Sequence, residues 1–144
     1  MKLQLLFLFT VVLSAFGFSQ TKIQWEYAYN AESKTIEIQA TLADGWHLYS
    51  QHVANEIGPV PTSFVFEPNN AVKFIGKVNE PQPIQKYDEN FEAMLDFFEG
   101  KVLFTQRLSV KESTTIQGTL TYMVCNDVMC LPPVDEKFTI TITK

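Results

Sequence analysis

The sequence has few cysteines, few positive charges and no low-complexity tract. It has 11 Lys and Arg against 16 Asp and Glu, and the net charge of −5 argues against nucleic acid and anionic membrane surfaces as partners. No Ser/His/Asp or Cys/His signature of a hydrolase is present. Beyond residue 19, no apolar run reaches the roughly 20 residues that a membrane-spanning helix needs. These absences leave the two cysteines as the main chemical feature of the sequence.

The first 19 residues have the pattern of a secretory signal peptide. Lys2 supplies a positive charge, residues 3–18 are almost wholly apolar, and Gly17 and Ser19 place small residues ahead of Gln20. The pattern predicts cleavage between Ser19 and Gln20. A single membrane anchor is the alternative, for which the apolar run is short. Because this segment has no cysteine, a lipid-anchored lipoprotein is not expected. We therefore expect one exported domain, residues 20–144, in a compartment where disulfides persist.

The rest of the chain alternates apolar and polar residues, as half-buried β-strands do. The alternation is clearest over residues 23–29, 35–42 and 138–143. Shorter or weaker patterns of the same kind cover residues 46–50, 62–67, 72–78, 102–110 and 116–124. About eight short strands without a convincing long helix predict an all-β, immunoglobulin-like β-sandwich. The Cys…Trp…Cys spacing of antibody domains is absent, so an antibody-type domain is not expected.

Residues 79–100 interrupt this alternation. Pro81 and Pro83 end any strand there, and the following residues mix acidic with large apolar side chains. A helical spacing is shared by Phe91, Met94, Leu95 and Phe98. The spacing allows one or two helical turns. From the pattern alone, two interpretations stay open: a loop packed over the end of a sheet, or a lid.

Cys125 and Cys130 are separated by four residues and followed by Pro132 and Pro133. A β pattern runs into this stretch and another runs out, so strand pairing would bring the two sulfurs within bridging distance. Such a bridge closes a very small ring, which stabilises a fold least. Spacing leaves both an inert and a redox-active disulfide open. Strand parity places Cys125 toward the outer face of its sheet, or at a strand end.

Four stretches of the sequence resemble one known family. They are Asp44-Gly45-Trp46-His47-Leu48-Tyr49, Gly58-Pro59-Val60-Pro61-Thr62, Phe98-Glu99-Gly100-Lys101-Val102 and, above all, Val124-Cys125-Asn126-Asp127 through Cys130-Leu131-Pro132-Pro133. Together they resemble the N-terminal periplasmic domain of the bacterial thiol:disulfide interchange protein DsbD, a disulfide bond corrector domain. The similarity covers most of the chain after residue 19. It implies an immunoglobulin-like sandwich in which a redox-active cysteine pair lies near a loop between strands.

The resemblance also implies a function. Cys125 and Cys130 correspond to redox cysteines that cycle between dithiol and disulfide. The domain would take electrons from a thioredoxin-like protein and pass them to other exported thiol proteins in the periplasm. This is thiol:disulfide interchange, an oxidoreductase-type activity, and it needs no cofactor.

The residues around the pair follow from the same resemblance. Residues 87–91 correspond to a cap loop, with Phe91 as the shielding ring and Tyr87 beside it. The segment with His47 and Tyr49 corresponds to the one whose aromatic residues lie beside the cysteines.

Three features depart from the family pattern. The cysteines are one residue closer together than in the best-known enterobacterial members. The cap segment is longer and continues through residues 93–98. The sequence also ends at Lys144 without a membrane electron conduit or a thioredoxin-like domain, so we expect a stand-alone version with a separate electron donor.

The cysteine loop carries little that would activate a thiol. Asp127 is acidic and no Lys or Arg lies between Thr121 and Asp135, so we expect thiols that react slowly outside a docked complex. Asp127 has an alternative role as a turn residue. His47 could assist proton transfer, and the alternative is a packed, hydrogen-bonded histidine.

Two other functions stay open from the residues. A Cu(I) carrier would use soft or borderline ligands. The candidates are Cys125, Cys130, Met123, Met129, His47 and His52. Their spacing fits no standard zinc site, and we expect no resident metal. The other alternative is an exported, non-catalytic binding domain with an inert structural disulfide.

Overall fold

The computed structural model of the protein describes residues 21–53, 56 and 58–144. The predicted signal peptide and its cleavage site lie outside the described residues. Within these residues the chain forms eleven β-strands and no α-helix, which confirms the prediction of an all-β fold. In this part of the chain no helix is long and apolar enough to cross a membrane. The strands are β1 (Ile23–Asn30), β2 (Thr35–Leu42), β3 (His47–Tyr49), β4 (Ser63–Phe66), β5 (Val72–Asn79), β6 (Ile84–Asp88), β7 (Ala93–Glu99), β8 (Lys101–Val110), β9 (Thr114–Tyr122), β10 (Val124–Cys125) and β11 (Val134–Ile142).

The strands pair antiparallel in three sheets. One has the order β1-β2-β8-β5 and another the order β11-β9-β4. Aromatic side chains join these two sheets: Tyr27 of β1 stacks on Phe138 of β11 with 5.0 Å between ring centroids. Phe66 of β4 stacks on Phe74 of β5 at 4.7 Å. The two sheets therefore form the predicted β-sandwich.

Alternation along the strands builds the main core of the sandwich. In β2, Ile36, Ile38 and Ala40 are fully buried, while the residues between them are partly exposed. In β8, Phe104 is fully buried and its ring lies 5.1 Å from that of Phe64 in β4. One face of each strand thus supplies the core, as the period-2 pattern indicated.

The third sheet, β10-β3-β7-β6, is covered on both faces. Leu48 lies opposite Val124 and Phe98, and all three belong to the main core. The adjacent Tyr49 points to the other face, because successive residues of a strand alternate. There it joins a second buried cluster, whose members are Tyr49, Val53, Leu95, Phe97, Met123 and Cys125. This second cluster carries the candidate site.

The helical turns that the spacing of residues 91–98 allowed do not form. Residues 84–99 form an antiparallel hairpin of β6 and β7, and the sequence patterns predicted neither strand. Leu95 and Phe97 enter the second cluster, whereas Phe98 enters the main core. A strand that is buried on both faces lacks alternation, and here its apolar residues coincide with a helical spacing.

The prediction that Cys125 faces outward is also wrong, and its alternative of a strand end holds. The chain leaves β9 after Tyr122, passes Met123 and enters a different sheet as β10, where Cys125 is the last residue. The change of sheet resets the strand parity, so four successive residues from Tyr122 to Cys125 are buried. Cys125 has no exposed surface.

The alternation in β8 gives a direct test of the core. Phe104→Ala removes a fully buried ring and is expected to lower the free energy of unfolding by about 3–5 kcal/mol. Leu103→Ala on the opposite face, where the side chain is 44% exposed, is expected to lower it by less than about 1 kcal/mol. Urea denaturation of both variants measures the difference. Equal losses would contradict the assigned faces of β8.

Candidate functional site

The disulfide joins Cys125 at the end of β10 to Cys130, with the two Cα atoms 4.0 Å apart. The two residues face each other as an isolated antiparallel bridge. The loop between them is a hydrogen-bonded turn: the Asn126 N–H donates to the Met129 carbonyl at 2.9 Å. The Asn126 side-chain oxygen accepts the N–H groups of Val128 (2.9 Å) and Met129 (2.8 Å). Asn126, rather than Asp127, is therefore the residue that closes the turn.

The two cysteines differ in exposure. Cys125 is fully buried, whereas Cys130 is half-buried. The tip of the loop between them is open, with Val128 86% and Met129 49% exposed. Cys130 is therefore the more accessible of the two cysteines.

His47 lies directly opposite Cys125 in the pairing of β3 with β10. Opposed residues of an antiparallel pair project to the same face, with Cβ atoms about 4.5–5.5 Å apart. The imidazole of His47 lies 4.5 Å from the Phe97 ring, between centroids, and is tilted against it. Tyr49, two residues further along β3, points to the same face and is fully buried. Both residues of the predicted aromatic segment thus lie on the face of the sheet that carries Cys125.

His47 and Tyr49 share one carboxylate, that of Asp88 at the end of β6. The Tyr49 hydroxyl donates to Asp88 Oδ2 at 2.6 Å. His47 Nε2 lies 3.3 Å from the same oxygen and 3.1 Å from the Tyr49 hydroxyl. All three side chains are buried. They form one hydrogen-bonded group between strands that are about 40 residues apart in sequence.

Burial and hydrogen bonding set the ionisation of this group. Burial lowers the pKa of His47, although the Asp88 carboxylate opposes that change. Burial raises the pKa of Tyr49, and its hydrogen bond to Asp88 raises it further. For Asp88, burial favours the neutral acid, but hydrogen bonds from Tyr49 and two backbone N–H groups outweigh it and lower the pKa. At neutral pH, Asp88 is therefore ionised and Tyr49 and His47 are neutral.

The turn between β6 and β7 lies against the cysteine loop. Asp88 Oδ1 accepts the N–H groups of Asn90 (2.8 Å) and Phe91 (3.2 Å), which fixes the turn. The Asn90 side-chain amide donates to the Asn126 carbonyl at 2.8 Å. The Phe91 ring meets that of Tyr49 edge to face, with 5.9 Å between centroids. Phe91 and Cys130 both pack against the second cluster.

A glycine supports the Phe91 ring from a separate loop. An added Cβ at Gly58 would overlap Phe91 Cδ1 and approach Cγ to 2.7 Å. Real Cβ atoms essentially never approach so closely, so only glycine fits beneath this ring unless the ring moves. In the sequence, the Gly58-Pro59 stretch is noted only as part of a motif. In the structure, Gly58 is the position against which the Phe91 ring packs.

The other predicted site residues lie further out. Tyr87 is 47% exposed on β6, opposite Met94, and is not among the residues packed on the second cluster. Asp127 is exposed and, with His47 and Asp88, lines a small cleft of about 10 Å³. Asp88 and Asn90 lie within residues 87–91, the predicted cap segment, but neither was singled out as a site residue. They lie in an acidic stretch of the sequence that has no feature to separate them from ordinary turn residues.

The candidate metal ligands are not arranged to bind a metal ion together. The two sulfurs are bonded to each other, and His47 Nε2 is engaged by Tyr49 and Asp88. His52 has a side chain that is 72% exposed, and its Nε2 lies 3.9 Å from Glu80. Over residues 21–53, 56 and 58–144, no group of three His, Cys, Asp or Glu side chains is placed to hold a metal ion.

Comparison with protein families shows to which family the chain belongs. The family model for "Thiol:disulfide interchange protein DsbD, N-terminal" matches residues 18–142. The chain belongs to this family. Comparison with curated proteins gives no match.

Solved structures share the fold of this DsbD N-terminal domain. The reduced DsbD N-terminal domain of Neisseria meningitidis matches with a TM-score of 0.62 and 19% identity, over 85% of this chain and 87% of that one. A structure of the complex between the DsbD and PilB N-terminal domains of the same organism gives 0.60 and 18%, over 81% and 80%. The N-terminal periplasmic domain of ScsB from Proteus mirabilis gives 0.56 and 17%, over 81% of this chain and 44% of that one. The likeness confirms the immunoglobulin-like sandwich.

The lowered pKa of His47 makes stability depend on pH. As pH falls below about 6.5, the ordinary histidine value, the unfolded chain binds a proton that the folded His47 resists. The free energy of unfolding is therefore expected to fall on acidification from that pH. His47→Gln is expected to flatten this part of the profile, whereas the exposed His52→Gln is expected to keep it. Denaturant titrations from neutral to mildly acidic pH measure both, and parallel profiles for wild type and His47→Gln would contradict the assignment.

Proposed function

We propose that the protein is a periplasmic thiol–disulfide exchange domain. It relays electrons between a thioredoxin-like donor and exported thiol proteins through the Cys125–Cys130 pair. The observation that carries the proposal is the disulfide itself: a small ring with one buried and one half-buried cysteine, packed against the second cluster in a DsbD N-terminal fold. The predicted signal peptide supports a periplasmic location.

The exchange proceeds in two half-reactions. A thiolate of the donor attacks the Cys130 sulfur, a mixed disulfide forms, and Cys125 leaves as a thiolate. The second donor thiol then attacks its own sulfur in the mixed disulfide and releases Cys130. The donor becomes a disulfide, and the pair has gained two electrons and, after protonation, two protons. With an acceptor disulfide, the same steps run in reverse and return the Cys125–Cys130 bridge.

Exposure favours Cys130 as the sulfur that partners attack. A nucleophile must approach the attacked sulfur in line with the S–S bond, and Cys125 is enclosed by the second cluster. Cys130 is half-buried and follows the exposed Val128-Met129 tip. A docked partner can therefore reach Cys130 without unfolding β10, while Cys125 serves as the internal thiol.

The small ring argues against a purely structural role. Closing a ring of this size stabilises a fold by roughly 2 kcal/mol, against about 4.7 kcal/mol for a loop of roughly 100 residues. The turn is also held by hydrogen bonds that do not involve sulfur. The disulfide therefore adds little that the turn lacks.

Trapping a mixed disulfide tests the relay. A thioredoxin that keeps only its attacking cysteine, activated with thionitrobenzoate, is expected to form a covalent complex with Cys125→Ser, because Cys130 remains reachable. Cys130→Ser is expected to form much less complex, and the double variant none. Non-reducing electrophoresis and intact mass measure the product. Equal trapping by both single variants would contradict the assignment of Cys130.

An inert bridge predicts different values for the same protein. Reduction-resistant structural disulfides have potentials below about −300 mV. The relay requires a higher potential for the Cys125–Cys130 couple and a modest loss of stability in the double variant. A potential below that limit, together with a large fall in the thermal midpoint, would leave a non-catalytic binding domain as the function.

Shielding of the pair by the cap is a separate proposal, with Phe91 as the main shield and Tyr87 beside it. The proposal is supported by the packing of Phe91 on the second cluster and by the close contact of the Phe91 ring with Gly58. Phe91→Ala is expected to speed alkylation of the reduced pair by iodoacetamide, and Gly58→Ala is expected to do so by displacing the ring. Tyr87→Ala is expected to have a smaller effect because the side chain is already exposed.

Ile84→Ala is the control for these variants, since Ile84 is exposed on the same hairpin but lies at its far end. It is expected to keep the wild-type rate of alkylation. If Phe91→Ala and Gly58→Ala also keep that rate, the turn is ordinary packing and does not shield the cysteines.

A further inference from the structure

The buried thiol of Cys125 has to lose a proton during exchange, and the steps proposed above do not say which group accepts it. When a partner is bound to Cys130 and the pair is to be re-oxidised, Cys125 must lose its proton before it can attack. Cys125 has no exposed surface, so bulk water cannot take that proton directly. A thiolate, not a thiol, is the nucleophile in disulfide exchange. A neighbouring side chain with a free lone pair would speed this loss of the proton.

The buried titratable side chains beside Cys125 are His47, Tyr49 and Asp88, and the last two are unsuited to the task. Asp88 accepts hydrogen bonds on both oxygens: from Tyr49 and His47 on Oδ2, and from two backbone N–H groups on Oδ1. Protonating it would break these bonds. The Tyr49 hydroxyl is neutral and donates its single proton to Asp88.

The hydrogen bonds also fix the proton positions on His47. Because the one proton of the Tyr49 hydroxyl lies toward Asp88, the contacts of His47 Nε2 with both oxygens require a proton on Nε2. In the neutral imidazole, Nδ1 then carries the free lone pair. No hydrogen bond to Nδ1 occurs within the part of the chain that the structure describes. His47 is thus held by one nitrogen, with the other available.

We infer that His47 is the group that accepts the Cys125 proton, and returns it, during exchange at the Cys125–Cys130 pair. The inference rests on the proposed function and on the direct opposition of His47 and Cys125 across β3 and β10. In the resolving step the Cys125 thiol gives its proton to Nδ1, and the Cys125 sulfur attacks the Cys130 sulfur. The Cys125–Cys130 bond forms, the bond from Cys130 to the partner breaks, and the partner leaves as a thiolate that has gained the electron pair.

Burial disfavours a positive charge on His47, and nearby carboxylates offset part of that cost. Asp88 and Asp127 both favour the imidazolium electrostatically, as does Glu99, which lies opposite His47 in β7. Burial opposes it and lowers the pKa, so His47 starts neutral and is ready to accept. Titratable and charged groups lie around His47 on β3, β6, β7, β10 and the two turns. They are Tyr49, Lys86, Tyr87, Asp88, Glu89, Glu99, Cys125 and Asp127.

A small cleft lies beside His47. It is lined by His47, Asp88, Asn90 and Asp127 among others, and its volume of about 10 Å³ matches one water molecule. Asp127 is exposed at its edge. His47 thus lines a cleft that is large enough for one water molecule and that has the exposed Asp127 at its edge.

The test separates attack by Cys130 from resolution by Cys125. Reduced protein reacts with dithionitrobenzoate in two phases: Cys130 releases one coloured thiolate, and Cys125 then displaces the second. In the wild type the rate of the second phase is expected to be flat near neutral pH and to fall in acid, as His47 becomes protonated. His47→Gln is expected to slow this phase at neutral pH by at least about tenfold, since general bases typically contribute more than that.

The pH profile distinguishes proton transfer from a structural effect. Without the base, the second phase of His47→Gln is expected to rise about tenfold per pH unit toward the ordinary thiol pKa of about 8.5. The first phase is expected to stay at the wild-type rate, and His52→Gln is the matched control for both phases. Asp88→Asn removes a charge that favours the imidazolium, so its acid limb is expected to shift to lower pH.

Two results would overturn the inference. One is a second phase in His47→Gln with the wild-type rate and profile. The other, which needs no variant and so holds even if His47→Gln does not fold, is a wild-type second phase that rises tenfold per pH unit through neutrality. Failure of the proposed function looks different: wild-type protein would release one thiolate and never the second, or would not exchange with thioredoxin at all.

Discussion

Pairing between β3 and β10 is the contact on which the site depends. It consists of only two opposed pairs, Val124 with Leu48 and Cys125 with His47. The first pair faces the main core and the second faces the cysteine site. Because the apolar pair is fixed by the sandwich interior, the register of Cys125 opposite His47 is fixed with it. The bulk of the fold thus sets the position of one sulfur through a two-residue strand.

The Asp88 carboxylate connects β3 to the turn between β6 and β7. One oxygen receives hydrogen bonds from Tyr49 and His47 on β3, and the other receives two backbone N–H groups of the turn. Asn90 then carries the connection to the cysteine loop through the Asn126 carbonyl. A buried carboxylate with every lone-pair direction occupied is stabilised in its ionised form and holds its neighbours in one arrangement. Acidification therefore weakens the turn between β6 and β7 and the His47–Tyr49 side of the site together.

The sequence predicted those parts of the fold in which each strand buries one face. Residues 35–42 were predicted as a strand with the bounds that the structure has, because Ile36, Ile38 and Ala40 alternate with polar residues. The predicted strand over residues 116–124 divides into β9 and β10, since no local signal marks the change of sheet at Met123. The hairpin of β6 and β7 was missed because β7 is buried on both faces. The alternation of apolar and polar residues predicts burial correctly only where one face of a strand is exposed to solvent.

The site was predictable to the extent that it lies in short motifs. The cysteine pair and the segment of His47 and Tyr49 stand out in the sequence. Asp88 does not, because its role arises from hydrogen bonds to residues 39 and 41 positions away. Gly58 likewise gains its role only when a distant loop brings Phe91 onto it. Such pairings depend on the folded topology, which a local pattern does not contain.

The turn between the cysteines closes through backbone amides and the Asn126 side chain, none of which involves sulfur. Breaking the S–S bond leaves those hydrogen bonds in place, so the loop has little reason to change shape between its two redox states. In the proposed relay, a partner would therefore meet nearly the same surface before and after electron exchange. Its release would then depend on the chemistry of its own cysteines and not on a change in the shape of this loop.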